Sequence, residues 1–247
     1  MNKSKASFFN AHNLTLLAIL IALVVVMQTF GATINIGPVQ LNFTLIPIAL
    51  GAIMLGKWSG AFLGFACGVV VLVQVIIAPA GFYFIIWSMS PVITTLICLI
   101  KTTVAGFVAG VLFNIIEKKN KYAAVFVASG IIPVINTALF VIGCLFMNEA
   151  ITTFQTQLST LAEFGHVLGM NVFVFILVIL VTFNFFFEFA INLLVAPALN
   201  RVLVAINKSG FKSKNKNQEV ESDTKVETDI VETEDKKETE NKNVTSD

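Results

Sequence analysis

The sequence predicts an all-α integral membrane protein with six transmembrane helices, both termini in the cytoplasm and a disordered, charged C-terminal tail. Three observations lead there. The 247 residues are 56% hydrophobic and only 13% charged, with a mean hydropathy of +0.85, against ~45–50% apolar and ~25% charged residues in a soluble domain. Most ionised side chains are gathered after residue 208, so the formal net charge of +1 hides a division between a nearly bare apolar part and a charged tail and says nothing about partners. Apart from Lys101, the cations up to the start of the tail, Lys3 and Lys5, Lys57, Lys118, Lys119 and Lys121, then Arg201 and Lys208, all fall on one side of a six-span arrangement. The three opposite connections contain none, which sets that side as cytoplasmic. The expected organisation is a cytoplasmic N-terminal segment over residues 1–13, a six-helix membrane domain over 14–207 and a tail over 208–247.

The first span, residues 14–30, follows Lys3 and Lys5 and is long enough to cross a ~30 Å hydrocarbon core. No small-residue cleavage site follows it closely, so a membrane helix is preferred to a signal peptide. Residues 31–42 (GATINIGPVQLN) mix glycine, proline and amides, and the apolar run after them, residues 43–55, covers only ~20 Å as a helix. Two readings stay open: irregular backbone entering a protein-lined cavity, or a helix that begins near Val39. Gly51, Gly56 and Lys57 imitate a phosphate-binding loop, but Trp58 stands where serine or threonine should hold magnesium and no strand precedes it. Nucleotide binding is set aside.

The third span, residues 59–78, repeats Gly60, Gly64 and Gly68, a spacing that lets another helix approach closely. Residues 79–87 (PAGFYFIIW) read as an aromatic connection. The fourth span runs from about Ser90 to Glu117, with Ala105, Ala109, Gly106 and Gly110 at the same packing interval. The fifth, residues 123–147, carries Pro133 and Asn136 near its middle; the proline frees a backbone carbonyl that an amide one turn away can serve. Residues 148–166 are polar, with Glu149 and Glu163. The sixth span, residues 167–203, is longer than a bilayer requires and is expected to tilt, project or break near Pro197. From Lys208 the composition cannot bury a core.

Cys67, Cys98 and Cys144 all lie in apolar runs without CxxC spacing, and His12 and His166 stand alone, so no metal site and no cofactor are expected. Two charges stand out in the apolar part. Lys101 is the only ionised residue of 92–116, and Glu188 lies on a helical stripe with Asn184 and Asn192. A mid-membrane lysine costs ~2.5 kcal/mol or more on insertion scales and needs a partner or a watered cavity. Counted at 1.5 Å per residue from the cytoplasmic boundary, Lys101, Asn136 and Glu188 come to ~25, ~22 and ~20 Å, one layer on three spans. A Lys101–Glu188 ion pair alone is a purely structural account. The functional account is a pocket between spans four, five and six, covered by the connections that contain Gln40, Asn42 and Trp87, in which Lys101 holds an anionic group and the amides fix hydroxyl or amide groups.

The first-helix Ala18-x-x-x-Ala22, the stretch VQLNFTLIPIALGAIMLGKWSGAFLG, the run IKTTVAGFVAGVLF and the last-helix pattern FFFEFAINLLVAPALNRVL give the chain its likeness. It resembles the substrate-binding S component of an energy-coupling factor (ECF) vitamin transporter over nearly all of residues 14–203. The resemblance implies that Ala18 and Ala22 meet a transmembrane coupling subunit driven by two separate ATPase subunits. It also implies a vitamin bound near the outer face among the last three helices and the external loops. IPVINTALF and VQLNFTLIP look most like pantothenate-type members, which places Asn136 in a ligand-contacting segment; riboflavin, folate or another vitamin are the alternative substrates. On this reading the chain is not an enzyme, binds no nucleic acid and sits in the plasma membrane as a multi-pass protein. The competing class is a stand-alone proton- or ion-coupled carrier with Glu188 as the titrating group. An intramembrane hydrolase lacks its motifs, since neither Gly-x-Ser-x-Gly nor HExxH occurs.

Overall fold

The computed structural model describes residues 11–31, 35–36, 39–40, 43–78, 81–182 and 184–204, without side-chain detail for Ala11, His12, the four strand residues and Ala162. Lys3, Lys5, Asn42 and the tail from Lys208 lie outside the described residues, as does the side chain of Gln40. The chain divides into two units, Met1–Asn200 and Arg201–Asp247. Of the second, only residues 201–204, the last turn of a helix, are described.

The first unit is helical apart from one short hairpin. Helix α1 is Ala11–Gly31, and two strands, β1 (Asn35–Ile36) and β2 (Val39–Gln40), pair antiparallel with Asn35 opposite Gln40. Then come α2 (Leu45–Met54), α3 (Lys57–Ile77), α4 (Gly81–Met89), α5 (Pro91–Ile116), α6 (Lys121–Leu145) and α7 (Asn148–Ser159). A 3-10 turn over Ala162–Val167 leads to α8 (Val172–Phe175), which continues as a π segment, Ile176–Val181. The last helix, α9, spans Asn184–Val204.

Five described helices are long and apolar enough to cross a membrane: α1 from Asn13, α3, α5, α6 and α9. The second expected span is reduced to α2, ten residues or ~15 Å. Its Leu45, Ile48, Ala49 and Ala52 are wholly buried, so α2 is a core element wrapped by its neighbours. Gly56, at φ 95°, makes the reversal between α2 and α3, a conformation that glycine adopts without strain. The phosphate-loop imitation is therefore a helix–turn–helix, and the Lys57 ammonium lies over the Trp58 and Phe107 rings at 5.9 and 5.8 Å.

The centre of the bundle is the α3–α5 seam. A Cβ on Gly60 would come within 2.5 Å of the Gly106 carbonyl, and one on Gly64 or Gly68 would strike the carbonyls of Thr102 and Cys98. The small residues read as packing positions do bring two backbones into contact, and Thr102 Oγ1 donates across the seam to the Gly64 carbonyl at 2.6 Å. Helix α6 packs on the other side of α5, its start capped by the Asn120 side chain, which accepts from Ala123 N at 3.1 Å.

Three expectations change. Residues 79–87 hold helix α4, which packs against α7 and α5, and the polar connection 148–166 holds α7. Ala150, Ile151, Phe154 and Leu158 of α7 are buried, a stripe at helical spacing inside a polar segment. Gln155 of α7 donates to the carbonyls of Val167 and Met170 at 2.6 and 3.0 Å, fastening the 3-10 turn to the helix. The third change concerns the break in residues 167–203. Pro197 lies inside α9 on its exposed face, where the loss of one N–H is tolerated beside membrane or solvent. The irregularity falls instead at the π segment, 16 residues or more before the proline.

Candidate functional site

Helices α4, α7 and α8 cover one end of the bundle. Phe82, Ile85 and Ile86 of α4, Phe140 and Cys144 of α6, Ile151, Phe154 and Leu158 of α7, and Phe175, Ile176 and Leu180 join in one apolar cluster. Phe82 stacks edge-on with Phe140 and Phe154, centroids 5.9 and 5.1 Å apart. The polar cluster begins under this roof.

Lys101 reaches it from α5. Its Nζ lies 5.2 Å from the centroid of the Phe140 ring, a cation–π contact worth ~0.5–2 kcal/mol depending on desolvation. Lys101 is also within electrostatic reach of Tyr83 on α4, Cys98 on α5, Glu188 on α9 and Cys67 on α3. Thr44 Oγ1 and Cys67 Sγ meet at 3.0 Å just before α2. Five elements therefore bring side chains within electrostatic range of one ammonium group.

Helix α6 supplies the opposite wall. Asn136 lies one turn from Phe140 and Ser129 two turns further along the same face, by the i, i+4, i+7 rule. Pro133 has no N–H, which leaves the Ser129 carbonyl without its helical partner. A Cβ on Gly130 would sit 3.4 Å from both Phe189 and Leu193 of α9, so this antiparallel contact sets Asn192 roughly abreast of Ser129, with Glu188 and Asn184 successively closer to the roof. The burial is close to complete: Lys101 is 7% exposed, Asn136 5%, Glu188 4%, Asn192 2% and Ser129 0%.

The hydrogen bonds do not close within this cluster. Asn192 Nδ2 donates to the Glu188 carbonyl at 2.8 Å. Among the described residues, Asn136 Oδ1, Asn192 Oδ1 and Ser129 Oγ are buried and accept or donate no hydrogen bond. Each buried polar group left unmet costs ~1–3 kcal/mol. An arrangement whose purpose was mutual neutralisation of Lys101 and Glu188 has no need of these three extra oxygens.

Of the residues singled out from the sequence, Lys101, Asn136, Glu188 and Asn192 are brought to one interior, with Asn184 half-buried at the roof side of the same α9 face. Trp87 is half-buried on α4, next to Ile85 and Ile86 of the roof. Gln40 lies in β2, and Asn42 is outside the described residues. Ala18 and Ala22 are both exposed on α1. Sequence reasoning missed Ser129, Tyr83 and Phe140. Ser129 carried two signals, its i−7 spacing from Asn136 and its place four residues before Pro133; Phe140 carried none, because the chain holds 23 phenylalanines, and Tyr83 stood unmarked within the aromatic connection 79–87.

A polytopic helical bundle with a charged and amide-lined interior sealed at one end defines a class: a multi-pass membrane protein with the makings of a small-molecule binding site. The sequence matches the family described as "ECF transporter, substrate-specific component" over residues 12–200, and the chain belongs to that family. It is therefore a multi-pass protein of the plasma membrane in a family of transporter components. A stretch of 98 residues is 39% identical to the pantothenic acid transporter PanT of Lactococcus lactis subsp. cremoris, covering 38% of this chain and 47% of that protein. The chain thus matches about half the length of that relative.

Proposed function

We propose that the chain captures a small water-soluble vitamin, pantothenate, in the interior between α5, α6 and α9, and hands it inward with a transmembrane coupling subunit and two ATPase subunits. The observation that carries this reading is the set of unmet buried oxygens, Asn136 Oδ1, Asn192 Oδ1 and Ser129 Oγ, on the buried faces of α6 and α9, with the buried Lys101 ammonium of α5 beside Phe140 of α6. Pantothenate offers the complementary chemistry, a carboxylate for Lys101 and hydroxyl and amide donors for the oxygens. The partial identity with PanT points to the same vitamin. In this reading both termini are cytoplasmic, the roof of α4, α7 and α8 faces outward, and residues 208–247 are a solvated cytoplasmic tail. Gln40, Asn42 and Trp87 take part from the roof side, and Asn184 from α9.

Calorimetric titration of the purified chain with pantothenate, riboflavin, folate and other water-soluble vitamins tests it. Saturable binding of pantothenate by the chain alone is expected. Tight binding of a different vitamin reassigns the substrate, and binding of none removes the receptor reading. The burial of Glu188 within reach of Lys101 is what favours the second reading, a stand-alone ion-coupled carrier. Uptake into liposomes holding only this chain, driven by an ion gradient, would establish that carrier in place of the shared machinery.

A further inference from the structure

We infer that the Tyr83 hydroxyl, on the first turn of α4, and the Lys101 ammonium together clamp the ligand's carboxylate beneath the roof. This clamp rests on the vitamin-capture reading and deepens it, by adding a residue that selects for an acid and by fixing which end of the vitamin faces the roof. The half-buried Tyr83 ring packs edge-on against Phe82 at 5.8 Å, and Phe82 in turn meets Phe140, the aromatic partner of Lys101. The phenol lies within electrostatic range of Lys101 and Cys98 of α5, Cys144 of α6 and Glu188 of α9, so it points into the bundle. Among the described residues its hydroxyl makes no hydrogen bond, although a phenol turned inward ordinarily finds a partner.

Depth separates this pair from Glu188. A Cβ on Gly143 of α6 would strike Ile97 of α5, and the two helices run antiparallel on either side of residues 117–120. Lys101 therefore comes abreast of Leu139, beside the Phe140 ring that it contacts. Gly130 lies against both Phe189 and Leu193 of α9, which brings Glu188 abreast of Pro133, about 9 Å deeper at 1.5 Å per residue. Cys98 and Cys144, the neighbours of Tyr83, stand about one turn to the roof side of Lys101 and Phe140. The ammonium thus has a carboxyl group beneath it and a phenol above it. With Glu188 below, a second carboxylate meets the least like charge on the roof side. There Lys101 supplies the opposite charge and Tyr83 adds an O–H···O⁻ bond, short and charge-assisted. The neutral amide and hydroxyl end of the vitamin then points inward to Asn136 and Asn192, whose unmet oxygens accept from it.

Tyr83→Phe tests the clamp, because it removes the hydroxyl and keeps the ring that packs against Phe82. The full-length chain and the variant are titrated calorimetrically with pantothenate and with pantothenyl alcohol, in which a hydroxymethyl group replaces the carboxylate. Tyr83→Phe is expected to lower affinity for pantothenate about tenfold, the loss of one hydrogen bond to a charged group, and to leave affinity for the alcohol within about twofold. The thermal midpoint without ligand is expected to match that of the unaltered chain. An equal loss for both ligands, no loss for either, or a loss for the alcohol alone overturns the clamp and leaves the vitamin reading standing, since pantothenate still binds the unaltered chain. If the unaltered chain binds no pantothenate, the vitamin reading itself falls and the clamp with it.

Discussion

The two seams on either side of α5 handle polarity in opposite ways. Along α3–α5 the helices touch through glycine, and the buried Thr102 hydroxyl meets the Gly64 carbonyl at 2.6 Å. Along α5–α6 and α6–α9 the helices enclose an ammonium, a carboxylate and amides, with three buried oxygens unmet. A seam built only to hold helices together satisfies what it buries, because an orphaned group opposes folding by ~1–3 kcal/mol. The first seam is scaffold. On the proposed reading the second gives up stability in the empty protein, and a ligand that supplies donors and an anion recovers it.

The sharpest way to break that contrast is to damage the scaffold alone. Gly64→Val drives a branched side chain into the backbone of Thr102, where neither partner can move without shifting a helix. A loss of about 3 kcal/mol or more is expected, seen as a large drop in thermal midpoint in detergent or as failure to elute as a discrete species. Next in size is Lys101→Ala. Truncating a buried charge that meets an opposite charge typically weakens a complex by ~2–5 kcal/mol, so the dissociation constant for pantothenate should rise about thirtyfold or more. The protein should still insert in the membrane. Undiminished affinity in calorimetry would move the binding site away from α5.

How much of this was legible in the sequence follows the same division. The α3–α5 seam was readable because close backbone approach has few solutions, and Gly60, Gly64, Gly68, Gly106 and Gly110 display the spacing openly. Lys101 and Glu188 were readable because charge in an apolar run has no cheap explanation. The roof was not. Helix α7 lies in a segment whose composition is polar, and only the stripe Ile151, Phe154 and Leu158 announced it. Helix α4 is aromatic on all sides and shows no contrast between faces. The π turn was the least visible: in FVFILVILV every position is apolar, so the phase of the helix leaves no trace, and Pro197 drew attention to a break that an exposed proline does not force.

Smaller effects separate the two seams more finely, since the same kind of change should have opposite signs. Asn136→Leu removes a buried oxygen that nothing in the empty protein meets. The unliganded chain should gain about 1 kcal/mol, while affinity for pantothenate falls about tenfold. Thr102→Val removes a satisfied hydroxyl and should lower stability by about 1 kcal/mol with affinity unchanged. Thermal unfolding with and without vitamin measures both halves. If Asn136→Leu is destabilising without ligand, the amide serves the fold and the contrast between seams fails.

The smallest effect on the chain itself should come from the face of α1. Ala18 and Ala22 are exposed and one turn apart, so a bulky side chain there is not forced into the buried interior of the described residues. Ala18→Trp and Ala22→Trp are each expected to leave stability within about 0.5 kcal/mol and vitamin affinity unaltered. Uptake by cells that express the coupling and ATPase subunits should nevertheless stop, because small residues four apart let a partner helix come close only while they stay small. Binding and uptake therefore have to be measured on the same variant. Transport that persists with tryptophan at either position would place the partner on another face, whereas loss of binding along with transport would show that α1 supports the ligand interior rather than an external subunit.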